Sequence, residues 1–82
     1  MVKKQNPLVK LKASKANIKF AELVKILQLL GYIEQNIVGS HFIFGKTGHL
    51  PILIVKPHGN KKTCHPKDVN KVIKLLEAAE NE

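Results

Sequence analysis

The chain contains no arginine, one cysteine, four aromatic side chains and six acids among its 82 residues. Each shortage removes a class of function. Without arginine there is no planar guanidinium fork to read guanine edges, so nucleic-acid contacts made by this chain should fall mostly on the backbone, with little base readout. Cys64 has no second cysteine to pair with, which rules out an internal disulfide and a thiol-built metal site. Phe20, Tyr32, Phe42 and Phe44 are too few to furnish both a core and a stacking platform for single strands. The acids are scattered, with no carboxylate pair spaced for acid/base work or for a metal. No apolar run approaches the ~20 residues that span a bilayer, and no signal-peptide core follows the N-terminus. The expectation is a cytoplasmic protein with no membrane partner.

What the chain does have is lysine. Fourteen of them give a formal charge of +8, which points to a polyanion, either nucleic acid or an acidic protein. The plainer alternative is a solvated, solubilising surface. At 44% hydrophobic the composition is that of a globular protein. A chain this short buries only about 60% of its unfolded surface, so stability is modest and a covering partner would add to it.

Residues 1–16 carry five lysines and no acid and read as a flexible basic arm. Val9, Leu11 and Ala13 alternate with Lys10, Lys12 and Ser14, which also fits a short edge strand. Residues 17–82 read as one domain. Phe20, Leu23, Val24, Leu27 and Leu30 recur at helical spacing, with Asn17 as a candidate N-cap and Gly31 as the C′ residue. Tyr32 to Val38 and His41 to Phe44 form two strands around Gly39-Ser40, and "ILIV" from Ile52 makes a third. After the basic loop "KPHGNKKTCH", Pro66 opens a second helix striped by Val69, Val72, Ile73 and Leu76, with Asp68 near its positive end. That helix is expected to fray into "EAAENE". The layout is α+β, in the order α-β-β-β-α: a three-stranded antiparallel sheet with both helices on one face and the other face open.

Strand alternation puts Phe42 and Phe44 on the helix-covered face and His41 with Ile43 on the other. His41 thus faces outward beside a turn, near the loop holding Lys56, His58, Lys61 and Lys62. A neutral imidazole on a cationic surface is suited to take a proton from an RNA 2′-hydroxyl whose phosphate the lysines hold. On spacing alone, a polar strand-end residue bonded to a nearby carbonyl is the commoner arrangement, and both readings stand. His49 reads as an exposed loop residue. Cys64 and His65 with His58 do not make metal-ligand spacing, and no metal or cofactor is expected.

The stretch "AELVKILQLLGYIEQNIVGSHFIFGK", followed by "ILIVKPHGNKK" and a closing helix, resembles the HicA toxins of HicA–HicB toxin–antitoxin pairs. The matching features are Gly31-Tyr32, Gly39-Ser40-His41, Phe44 and Pro57-His58, in order and at similar spacing, over about residues 18–79. The resemblance implies a double-stranded-RNA-binding-domain-like (dsRBD-like) fold and a metal-independent endoribonuclease that cleaves mRNA. It implies a HicB-like antitoxin over the active face, and His41 as the catalytic residue. Two departures are visible: a longer N-terminal arm, and "KKTCHPKDV" where the family more often has a Gly-Thr-containing stretch.

The expected chemistry is internal transphosphorylation with His41 as general base. Lys56, Lys61 and Lys62 would hold the phosphate, Gly39 and Ser40 would shape the turn and offer an N–H, and His58 could assist the leaving group. The alternative is a non-catalytic RNA-binding module of the same layout; a third reading is a basic adaptor for an acidic protein.

Overall fold

The structure, a computed structural model, describes residues 7–80. Three helices and three strands follow one another as α1 (Pro7–Ala13), α2 (Phe20–Leu29), β1 (Ile33–Val38), β2 (His41–Gly45), β3 (Ile52–Val55) and α3 (Pro66–Glu80). The sheet is antiparallel in the order β1-β2-β3. The α-β-β-β-α frame is therefore present, with α1 added in front of it.

That added helix corrects the expected arm. Residues 1–6 lie outside the described residues, but residues 7–13 are helical and neither arm nor edge strand. The cause is spacing. Leu8 and Leu11 stand three apart, on one helix face, and both are buried in the core against α3. Pro7 occupies the first helical position, where its missing N–H costs nothing. Two ion pairs flank the contact, Lys10 with Glu22 and Lys12 with Glu77 at 2.9 Å. Exposed pairs like these contribute little beside the two leucines. The hydrogen bond from Lys10, then that from the Lys19 N–H, hold the Glu22 carboxyl below the usual range.

Helix α2 begins later than the Asn17 cap would place it. Asn17 instead donates its N–H to Ser14 O (2.8 Å) in the turn after α1, because the next residue, Ile18, is fully buried and the chain must dive inward there. Lys19 is the N-cap, and its N–H bonds the Glu22 carboxylate at 3.2 Å. At the other end Gly31 has φ +95°, and its N–H reaches Gln28 O while that of Tyr32 reaches Leu27 O. This is a Schellman termination, which needs a residue free to adopt positive φ. It swings Tyr32 into the core and sets the direction of β1.

Within the sheet, alternation decides the two faces. Phe44 and Ile54 are fully buried, and Phe42 meets Phe20 of α2 edge to face at 4.9 Å between ring centroids. Helices α2 and α3 therefore share one face, around a core of Leu23, Leu27, Phe44, Ile54, Val69 and Val72. Burying such side chains is worth roughly 1.5–3 kcal/mol each, which makes this layer the main source of stability. The opposite face carries His41, Ile43, Leu53 and Val55; among the described residues no helix packs over it, and the Gln35 side chain lies across its far end at Gly45. Helix α3 remains regular to Glu80 and does not fray at Glu77. Leu75 and Leu76 extend its packing against the core and hold the last turns.

Candidate functional site

The hairpin between β1 and β2 is as tight as a hairpin can be. Val38 pairs with His41, leaving Gly39 and Ser40 as the loop. Gly39 has φ +60° and Ser40 does not have positive φ, the pattern of a type II′ turn. His41 is thereby pinned at the first position of the central strand, flanked by Val38 on one side and Val55 on the other. Its side chain is exposed on the uncovered face, and no hydrogen bond to its ring is made among the described residues.

Beyond β3 the chain leaves the sheet and builds an open cleft of about 1020 Å³, walled by residues 55–68 and by Ala16. Lys56, His58, Lys61 and Lys62 all line it, and Lys67 joins them. Gly39, Ser40 and His41 do not line it; they adjoin it. The Lys56 N–H donates to Ser40 O (2.8 Å), tying the start of the cleft loop to the turn. Val55, in the cleft wall, is the direct cross-strand partner of His41. Side chains so paired have Cβ atoms about 4.5–5.5 Å apart. Lys56 itself leans to the helix side, its ammonium 6.0 Å from the centroids of both Phe20 and Phe42. It therefore guards the rim rather than the face that carries His41.

Three residues hold this cleft in shape, and composition did not single them out. Asp68, nearly fully buried, accepts the Val55 N–H at 3.1 Å and sits 3.2 Å from the Lys71 ammonium. Lys71 in turn donates to Leu53 O at 2.8 Å. His65 accepts the Lys67 N–H on Nδ1 at 3.0 Å and so caps α3. Asp68 reads from sequence only as a helix-dipole residue; a lone acid following a Pro was the one available hint of more. Cys64 is buried behind the loop. Desolvation foremost, then Asp68 and Glu22, push its thiol up from 9.0 to about 11, so it stays protonated and unreactive. His49 lies apart, near Tyr32, its Nδ1 3.1 Å from Thr47 O. Among the described residues no three His, Cys, Asp or Glu side chains are grouped to hold a metal ion, and no helix is long and apolar enough to cross a membrane.

A lone histidine on an open sheet face, joined through one strand to a lysine-lined cleft, can be compared with known families. The family model for the HicA toxin of bacterial toxin–antitoxin systems matches residues 20–79. The chain belongs to the HicA toxin family. It is accordingly the toxin of a toxin–antitoxin pair, and pairing with an antitoxin follows from that membership. The matched span runs from the first residue of α2 almost to the end of α3; α1 and the turn after it lie outside it. Neither the curated proteins nor the solved structures include a match.

Proposed function

We propose that this HicA-family toxin is an endoribonuclease that cleaves mRNA in the cytoplasm without a metal, using His41 as general base. The observation that carries the reading is the placement of His41, exposed on the uncovered face and paired with Val55 in the wall of the basic cleft. A phosphate held by Lys61 and Lys62 brings the neighbouring ribose toward the imidazole. His41 takes the 2′-hydroxyl proton, the 2′-oxygen bonds phosphorus, and the bond to the 5′-oxygen breaks. The products are a 2′,3′-cyclic phosphate and a 5′-hydroxyl, whose proton comes from His58 in this scheme. The lysine ammonium groups offset charge on the phosphorane, and the turn at Gly39-Ser40 presents backbone N–H groups to the same phosphate. A HicB-like antitoxin would silence the toxin by covering this face.

One observation favours a second reading, a non-catalytic RNA-binding module. Catalytic bases are commonly oriented by a further side chain, and no described residue bonds the His41 ring. A single measurement separates the two. Wild type and His41→Ala are incubated with single-stranded RNA in chelator and the ends are mapped. Cleavage with cyclic phosphate ends by wild type, falling about 10²–10⁴-fold in the variant, supports the nuclease. Binding without cleavage by both supports the module. Because His41 is exposed, the substitution should leave the melting curve nearly unchanged.

A further inference from the structure

The cleft is more than a row of positive charges. Its wall is assembled from two parts of the chain that are far apart in sequence. Thr63 Oγ1 donates to Ala16 O at 3.1 Å, and the Cys64 N–H donates to Ile18 O at 2.7 Å. Ala16 and Ile18 precede the family match, and they are held in place by α1, whose Leu8 and Leu11 share the core with Ile18. The family domain thus carries the basic loop, while an added segment closes the space behind it.

We propose that this cleft is a subsite for one nucleotide of single-stranded RNA flanking the bond at His41, with the base against its apolar wall and the phosphates on Lys61, Lys62 and Lys67. The position relative to the bond rests on the nuclease reading; the subsite itself does not.

Three observations converge on that ligand. Residues 56–67 include four lysines and no acid, and the acid that does reach the wall, Asp68, is already committed to Val55 and Lys71. The ligand is therefore an anion. Ala16, Val55, Pro57 and Pro66 supply apolar lining, which a bare phosphate would not use but a base or ribose face would. The volume of about 1020 Å³ holds a nucleotide with room for the chain to enter and leave. A duplex is the poorer fit, since a pocket of this kind takes an unpaired base and a helix face would bridge over it. Asn60, on the same wall, has both a donor and an acceptor for a base edge, a means of discrimination that a chain without arginine otherwise lacks.

The test uses the full chain and a 2′-O-methyl RNA tetranucleotide, which has no nucleophile and so reports binding alone. In an amide NMR titration the largest shifts should fall on Asn60, Thr63, Cys64 and Lys67. Three phosphate contacts give a slope of log affinity against log salt near −2, an affinity loss of about 16-fold between 50 and 200 mM. Lys62→Gln with Lys67→Gln should weaken binding at least 5-fold, whereas Lys25→Gln, on α2, should not. An oligonucleotide abasic at every position should bind several-fold more weakly. Shifts centred outside the loop, equal losses in Lys25→Gln, or unchanged affinity of the abasic strand would each overturn the subsite. Binding in the cleft without cleavage of unmodified RNA would leave the subsite standing and remove the nuclease reading. Cleavage that needs His41 but not the cleft lysines would remove the subsite and keep His41 as the base, with the phosphate held by groups other than Lys61 and Lys62.

Discussion

At the β3 edge, α3 reaches over and satisfies the strand's outward backbone with charged side chains: Asp68 takes the Val55 N–H and Lys71 supplies Leu53 O. At the β1 edge no helix packs in this way among the described residues. The chain uses local devices there, a bulge between Glu34 and Asn36 and the Asn36 side chain folded back onto the Ile37 N–H at 2.9 Å. Bulges and self-capping spoil the flat row of donors and acceptors that another strand would need. The charge follows the same division. No lysine occurs between Lys25 and Lys46, while the cleft beyond β3 is crowded with them. One edge is braced and carries the candidate site; the other is only blunted.

The comparison breaks most visibly at Asp68. Asp68→Ala leaves the Val55 N–H without its acceptor and Lys71 without its partner beside a buried backbone, a loss expected to cost about 2–3 kcal/mol in urea denaturation. Asn36→Ala, the corresponding change at the open edge, should cost less than about 0.5 kcal/mol. Equal costs would mean that the β3 edge is not braced at all. Next in size is Gly39→Ala, at the turn joining the open edge to His41. Among the described residues nothing lies within 4 Å of the added Cβ, so the penalty is that of φ +60°, about 1–2 kcal/mol. Gly45→Ala is the control: its Cβ would meet the far end of the exposed Gln35 side chain, which can swing away at little cost.

Cys64 gives a reporter for the braced side. Its thiol, raised to about 11, should resist an alkylating reagent at pH 8 in the native protein and react once urea unfolds it. The sign of the linkage follows from the direction of that shift. The folded state keeps the proton longer than the unfolded one, so the contribution is full below the ordinary thiol value of 9.0 and is lost as pH climbs toward 11. In Asp68→Ala, native-state alkylation should begin at lower pH, because a neighbouring negative charge is gone and the loop is loosened. Unchanged onset would separate the brace from the burial of Cys64.

The frame of this fold was legible because its signals are periodic. The stripe from Phe20 to Leu30, the alternation of His41, Phe42, Ile43 and Phe44, and the run at Ile52 each admit one arrangement, and Gly31 marks a helix end in any context. Helix α1 was not legible, since Val9, Leu11 and Ala13 fit alternation as well as Leu8 and Leu11 fit a helix, and only packing against α3 decides between them. The site divided in the same manner. Lys56, His58, Lys61 and Lys62 stand within seven residues, so their gathering in one cleft could be expected from the loop alone. The roles of Asp68, Thr63 and Ala16 depend on contacts between distant parts of the chain, and no spacing encodes those.

The smallest expected effect lies on the open edge itself. Ile37 is 46% exposed there and Val38 61%, so neither side chain contributes much burial. Ile37→Lys should change stability by less than about 0.5 kcal/mol, since the new ammonium stays in water and the stem covers what Ile37 covered. It should also leave binding to a 2′-O-methyl oligonucleotide nearly unchanged, despite the added charge, because its ammonium enters at β1, with β2 and β3 between it and the loop that builds the cleft. A clear gain in RNA affinity from Ile37→Lys would show that phosphates already pass across β1. In that case the lysine-free edge would belong to the RNA path, and the division between a working edge and a merely protected one would fail.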